Sequence, residues 1–128
     1  MKNERLFYKC DLCGNLFGGV ENTGVSVICC GKPMTELKPN TTDAAQEKHL
    51  PVPKRNGEKL KVTVGSVPHP MTVEHHIRWI AIADTDRTTR IKLAETGLPE
   101  AEACFCYGSG NVTIYAYCNL HGLWAVDL

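Results

Sequence analysis

A chain of 128 residues with 14 basic and 14 acidic side chains has no formal net charge, so it lacks the electrostatic footprint of a general nucleic-acid or anionic-membrane binder. Its 43% hydrophobic content is ordinary and no low-complexity run interrupts it, which fits one compact domain or two small ones. No apolar stretch approaches the roughly 20 residues that a bilayer-spanning helix needs. Met1–Arg5 runs straight into Leu6-Phe7-Tyr8-Lys9-Cys10 without the apolar segment of a secretory signal, so a cytoplasmic protein without a membrane partner is expected.

Seven cysteines then need a reason, because reducing compartments disfavour structural disulfides and an odd number cannot pair completely within one chain. Residues 1–38 supply it. Cys10-Asp11-Leu12-Cys13-Gly14-Asn15 has C-x-x-C spacing, with Gly14 and Asn15 suited to a tight turn that points backbone N–H groups at sulfur. The second pair, Cys29-Cys30-Gly31-Lys32-Pro33, is adjacent, and a short β-prone run, Val25–Ile28, precedes it. So short a segment has too little core to fold alone, and a tetrahedral site of four thiolates substitutes for one. Spacing leaves zinc and iron both open, since either accepts four thiolates. Five basic and four acidic side chains in this segment imply no basic face for nucleic acid.

Residues 39–48 are polar and without periodicity, and read as a linker. From residue 49 to 128 the pattern is all-β. Leu60, Val62 and Val64 alternate with Lys59, Lys61 and Thr63, as a half-buried strand should, behind a hairpin signal at Asn56-Gly57. Further strands are expected over Ile77–Ala83, Thr89–Leu93, Ala101–Tyr107, Val112–Tyr117 and Leu123–Val126. Turn residues at 84–86, 97–99 and 108–111 punctuate them. Short strands at this spacing predict a small β-sandwich with no substantial helix.

All five histidines fall in the sandwich half. Cys118-Asn119-Leu120-His121-Gly122 is a C-x-x-H turn directly after a strand, and Pro68-His69-Pro70 fixes the backbone around His69. His49 and the pair His75-His76 complete the set. Imidazoles with a single thiolate suit zinc, copper or iron, so a zinc hydrolase, a copper protein and a non-haem iron redox centre all stand at this level.

Five runs occur in one order: Cys10–Asn15, Cys29–Met34, Glu47-Lys48-His49, Gly65–Met71 and Tyr117–Trp124. Together they resemble desulfoferrodoxin, the family of two-iron superoxide reductases, and the likeness covers essentially the whole chain. It implies a small desulforedoxin-like iron domain followed by an immunoglobulin-like sandwich, assembled as a homodimer. Cys10, Cys13, Cys29 and Cys30 match the ligands of the first iron. His49, His69, His75 and His121 match four equatorial imidazoles of a catalytic iron with Cys118 as axial thiolate, and His76 is a bystander. The implied reaction reduces superoxide to hydrogen peroxide, with rubredoxin or a similar small carrier as electron donor. Lys48 is then expected to attract superoxide and Glu47 to occupy the open iron position after product leaves; without the resemblance they read as a solvated pair. Cys104 and Cys106 match no ligand of the family and read as strand thiols. Superoxide dismutase is the enzymatic alternative, and a purely electron-carrying iron protein the other.

Overall fold

A computed structural model describes residues 1–104 and 111–128. The chain divides into two compact units, Glu4–Lys38 and a larger one formed by Pro39–Leu128 together with Met1–Asn3.

In the small unit, β1 (Phe7–Lys9) lies between β2 (Leu16–Gly18) and β5 (Thr35–Glu36) in an antiparallel sheet. A two-residue hairpin joins β3 (Ile28–Cys29) to β4 (Lys32–Pro33). Its corner residues, Cys30 and Gly31, have φ of 52° and 74°, the two positive values that a type I′ turn requires. A β-branched residue would resist that conformation, whereas Gly31 adopts it freely. The expected strand over Val25–Ile28 is shorter than its composition suggested: only Ile28 is in a ladder, and Val25 and Ile28 are 81% and 60% exposed. The small unit buries few apolar side chains, Phe7 and Met34 among them, which is the deficit that a metal makes up.

The larger unit is a sandwich of a three-stranded and a four-stranded sheet. A one-turn helix, α1 (Gln46–His49), precedes the first strand, so the segment from Pro39 belongs to this unit and ends in the helix that carries Glu47, Lys48 and His49. The strands are β6 (Pro51–Asn56), β7 (Lys59–Val64), β8 (Ile77–Ala83), β9 (Thr88–Lys92), β10 (Glu100–Cys104), β11 (Thr113–Cys118) and β12 (Gly122–Asp127). They pair in the orders β10-β7-β6 and β12-β11-β8-β9. These correspond to strands E-B-A and G-F-C-C′ of an immunoglobulin-like sandwich. Strand β6 was not expected because Pro51 and Pro53 interrupt it. It forms an edge, where a residue without an N–H costs the sheet no ladder bond.

Alternation on β7 builds the core. Leu60, Val62 and Val64 are fully buried and meet Ile80, Ile82, Ile114, Ala116 and Cys118 from the facing sheet. On the outer face, Lys59 and Lys61 pair with Glu102 and Glu100 across the β7–β10 ladder at 3.5 and 3.4 Å, exposed contacts that add little stability. Two anchors tie chain entry points to the paired strands β11 and β12. The backbone N–H of Lys2 donates to Asp127, and that of Asn3 to the buried Thr113 hydroxyl. The Asn40 side chain bonds both the N–H and the carbonyl of Ala125. No described helix is long and apolar enough to cross a membrane. The part of the expected strand at 105–107, most of the turn at 108–111, and Cys106 lie outside the described residues. Cys104 ends β10 and is in a disulfide rather than the free strand thiol expected.

Candidate metal centres

The first centre lies in the small unit. The turn after β1 is closed by Gly14 N–H donating to Cys10 O at 2.9 Å and Cys10 N–H donating to Asn15 O at 2.8 Å. This geometry aims the Cys13 N–H at the Cys10 sulfur, 3.4 Å away. The β3–β4 hairpin brings Cys29 and Cys30 opposite, and the sulfurs of all four cysteines lie within 4.8 Å of one another. Cys13 Sγ and Cys29 Sγ are 3.6 Å apart. A tetrahedron with metal–sulfur bonds of about 2.3 Å has edges of about 3.8 Å, so this spacing fits a metal without rearrangement.

Electrostatics agree. The Cys13 N–H is the main cause that holds the Cys10 thiol down to about 6. Cys30 is pushed up to about 12 and Cys29 is also raised, in both cases chiefly through hydrogen bonding to Cys13. One sulfur ionises readily and its neighbours then resist, so a full set of thiolates needs a cation at their centre.

The second centre lies in the sandwich. Ring centroids of His49 and His69 are 4.7 Å apart, His69 and His75 4.7 Å, His75 and His121 5.0 Å, and His121 and His49 4.8 Å. The His49–His75 separation is 6.4 Å. Four near-equal edges with a longer diagonal make a square, and rings on adjacent corners are close to perpendicular. His49 Nε2 lies 3.1 Å from His121 Nδ1 and 3.2 Å from His69 Nε2. Nitrogens at adjacent corners around a metal with bonds of about 2.1 Å would be about 3 Å apart. Cys118 Sγ is 3.9 Å from His121 Nδ1, fully buried at the end of β11.

Partners on the far sides of the rings decide which nitrogen faces inward. His49 Nδ1 bonds Ala45 O and His69 Nδ1 bonds Pro70 O, each at 2.7 Å, so both present Nε2 as the free lone pair. His75 Nε2 is buried with no hydrogen-bond partner, as a ligand nitrogen would be without its metal. His121 turns Nδ1 inward. Burial is the leading cause that lowers the proton affinity of His49, His69 and His75, with His69 reaching about 4. All three are therefore neutral donors at pH 7. Burial raises the Cys118 thiol, opposed by the backbone N–H groups of His121 and Leu120, which would stabilise its thiolate.

Of the adjacent pair, His75 enters the square. His76 turns its Nδ1 to Thr72 O at 2.9 Å instead. Glu47 and Lys48 are exposed on α1 beside His49, and the Lys48 charge disfavours protonation of both His49 and His75. Gly65, with φ of 88°, lets the loop bearing His69 close on α1: a side-chain carbon there would lie 2.8 Å from Lys48 O and 3.0 Å from Glu47 O. Two residues in the quoted motifs make contacts around the centre that sequence reasoning did not assign: Asn119, bonded to His76 N–H and Glu74 O, and Trp124, stacked on His49. Only their places one and six residues after Cys118 hinted at contact with the centre.

Four imidazoles and a buried thiolate in one unit, and four thiolates in another, define a two-centre non-haem metalloprotein. A family model described as Desulfoferrodoxin matches residues 41–127, and one described as Desulfoferrodoxin, N-terminal domain, matches residues 2–37. The chain belongs to the desulfoferrodoxin family. It is 44% identical to a desulfoferrodoxin from Syntrophotalea carbinolica over 94% of each chain. It is 41% identical to one from Nitratidesulfovibrio vulgaris over 99% of each. Among solved structures it is similar to the superoxide reductase from Treponema pallidum, with a TM-score of 0.77 at 35% identity, covering 96% of this chain and 98% of that one.

Proposed function

We propose that the protein is a superoxide reductase that converts superoxide to hydrogen peroxide by one-electron reduction. The observation that carries this reading is the square of four imidazoles with a buried thiolate beside it. A metal held by these five donors and able to take a sixth ligand would have room for a small molecule, which distinguishes a catalytic from a closed structural site. His49, His69, His75, His121 and Cys118 would hold one iron, and Cys10, Cys13, Cys29 and Cys30 the other. Iron held there would supply the electron and the place where a small ligand binds; two protons from solvent complete the product.

The chain's own groups prepare that site. Ala45 and Pro70 carbonyls lock His49 and His69 in the tautomer that offers Nε2. Neutral imidazoles favour the ferrous state, and the Cys118 thiolate, steadied by the His121 N–H, adds electron density. Lys48 provides a local cation for an anionic substrate on a protein without net charge, and Glu47, exposed on the same helix, provides a carboxylate that would serve as a further donor to the metal. A small carrier such as rubredoxin is the electron donor in this reading. Exposed Val20, Val25 and Ile28 support a homodimer built through the small unit. A cytoplasmic location belongs to this reading: among the described residues five cysteines are free, all of them at the two candidate centres, as a reducing compartment would keep them, while Cys104 is disulfide-bonded.

Metal analysis with visible spectroscopy of the oxidised protein should find two irons per chain and two distinct thiolate-to-iron absorptions. Pulse radiolysis of the reduced protein should then show second-order oxidation by superoxide with peroxide formed and no oxygen evolved. Oxygen evolution would indicate dismutation instead, and a sandwich without iron would end the proposal.

A further inference from the structure

The four imidazoles of the square are not held alike. His49 and His69 are braced by carbonyls on the far sides of their rings. His121 sits in the turn that carries Cys118, where its N–H donates to the sulfur and its carbonyl accepts from Trp124 Nε1. Among the described residues His75 has no protein partner at its inward nitrogen, and no hydrogen bond fixes its ring from behind. Its position therefore depends on the backbone that carries it, the loop 72–76 between the His69 segment and β8.

That loop is closed on itself by Thr72, whose hydroxyl meets the His75 N–H at 3.0 Å and the His75 carbonyl at 3.2 Å. It is joined to the Cys118–His121 turn through one residue. Asn119 Oδ1 accepts from the His76 N–H at 2.9 Å, Asn119 Nδ2 donates to Glu74 O at 2.9 Å, and the Asn119 N–H donates to His76 O at 3.2 Å. The carboxamide thus bonds the residues on either side of His75, acceptor to one and donor to the other. No other residue type of this size presents both functions in one plane.

We propose that Asn119 is the positioning residue for the His75 ligand, fixing the loop 72–76 against the turn that bears Cys118 and His121. This rests on the metal-site reading above. The consequence is selective: loss of the carboxamide frees one corner of the square while the other three corners and the sulfur keep their supports. Outer groups that orient metal ligands are typically worth about 10–100-fold in metal affinity, and Asn119 acts on a ligand whose ring has no hydrogen-bonded brace of its own among the described residues.

The test uses the full-length iron-loaded protein, in which the four-cysteine iron serves as an internal reference. Transfer of iron from the sandwich to a ferrous chelator would be followed for wild type, Asn119→Ala and Asn119→Asp, with paramagnetic resonance of the oxidised samples and melting of the metal-free chains. Asn119→Ala should lose sandwich iron about 10–100-fold more readily and change the symmetry of that iron's resonance. The four-cysteine signal and the metal-free melting temperature should hold. Asn119→Asp, which keeps the acceptor for His76 but not the donor to Glu74, should fall between. Wild-type iron retention and resonance in Asn119→Ala would overturn the proposal. So would a collapse of the metal-free chain, since the residue would then support the fold rather than the ligand. A wild-type sandwich that holds no iron would instead remove the metal-site reading itself, so the two failures are distinguishable.

Discussion

Trp124 lies flat against His49, ring centroids 4.9 Å apart and planes inclined by 25°, while its Nε1–H donates to the carbonyl of His121 at 3.1 Å. One buried side chain on β12 therefore braces two adjacent corners of the imidazole square. Trp124→Phe keeps the stacking and loses the hydrogen bond, so sandwich iron should be retained. Trp124→Ala loses both and opens a cavity, and should cost about 3–5 kcal/mol of sandwich stability and about 10-fold or more in iron affinity. Thermal melts and iron content after chelator dialysis measure the two effects. Equal iron retention in the alanine variant would show that the stack is packing alone.

Cys13→Ser should abolish the visible bands of the four-thiolate ferric site and loosen Glu4–Lys38, because the metal stands in for a core. Sandwich iron should remain, since none of its candidate donors lies in that unit. Spectroscopy and metal content of the purified variant decide this, and joint loss of both irons would refute independent centres.

Lys48→Ala should slow capture of superoxide and leave iron content unchanged. Local steering raises on-rates by roughly 10 to 10³ and weakens with salt. The effect should sit near the low end, because a ferrous centre also attracts the anion. Pulse radiolysis over a range of ionic strength should show a lower second-order rate and a flatter salt dependence. An unchanged rate and slope would make Lys48 a solvated helix residue.

Acid should weaken the sandwich partly through Asp127. The Thr113 hydroxyl, donating at 2.7 Å, is the leading cause that holds this carboxyl below its usual 3.8, with the Lys2 N–H also contributing. A depressed carboxyl stabilises the fold fully above its unfolded value and loses that contribution as pH falls through the lower folded value. Asp127→Asn should therefore melt earlier than wild type near neutrality, with the gap closing below about pH 4. Melts of the metal-free proteins across that range measure it, and a gap independent of pH would rule out the charge.

Much of the fold was legible because β7 and β8 obey simple patterns. Leu60, Val62 and Val64 alternate with polar neighbours, and Ile77–Ala83 is a continuous apolar run. Strand β6 was hidden by its own prolines, which only an edge position tolerates. The ladders of the small unit were hidden because strands of two or three residues have no period to read. At the sandwich centre, composition showed that histidines cluster, but not their order around a square, which depends on strands distant in sequence. His75 and His76 are neighbours whose directions diverge through the Thr72 turn. Asn119 and Trp124 gave no signal of their own, since their partners lie in the loop 72–76 and on α1.

The terminal tripeptide has a consequence for how the gene can be cut. Because Met1–Asn3 belongs with the sandwich, the four-cysteine unit is an insertion in the reading frame rather than a prefix. Trimming everything before Pro39 would strip Thr113 and Asp127 of the Asn3 and Lys2 amides. Fusing Asn3 directly to Pro39 would keep both amides and the Asn40 clamp on Ala125. The entry and exit of the insertion are moored on the paired strands β11 and β12, so it is a cassette whose removal leaves every strand of the host in its order.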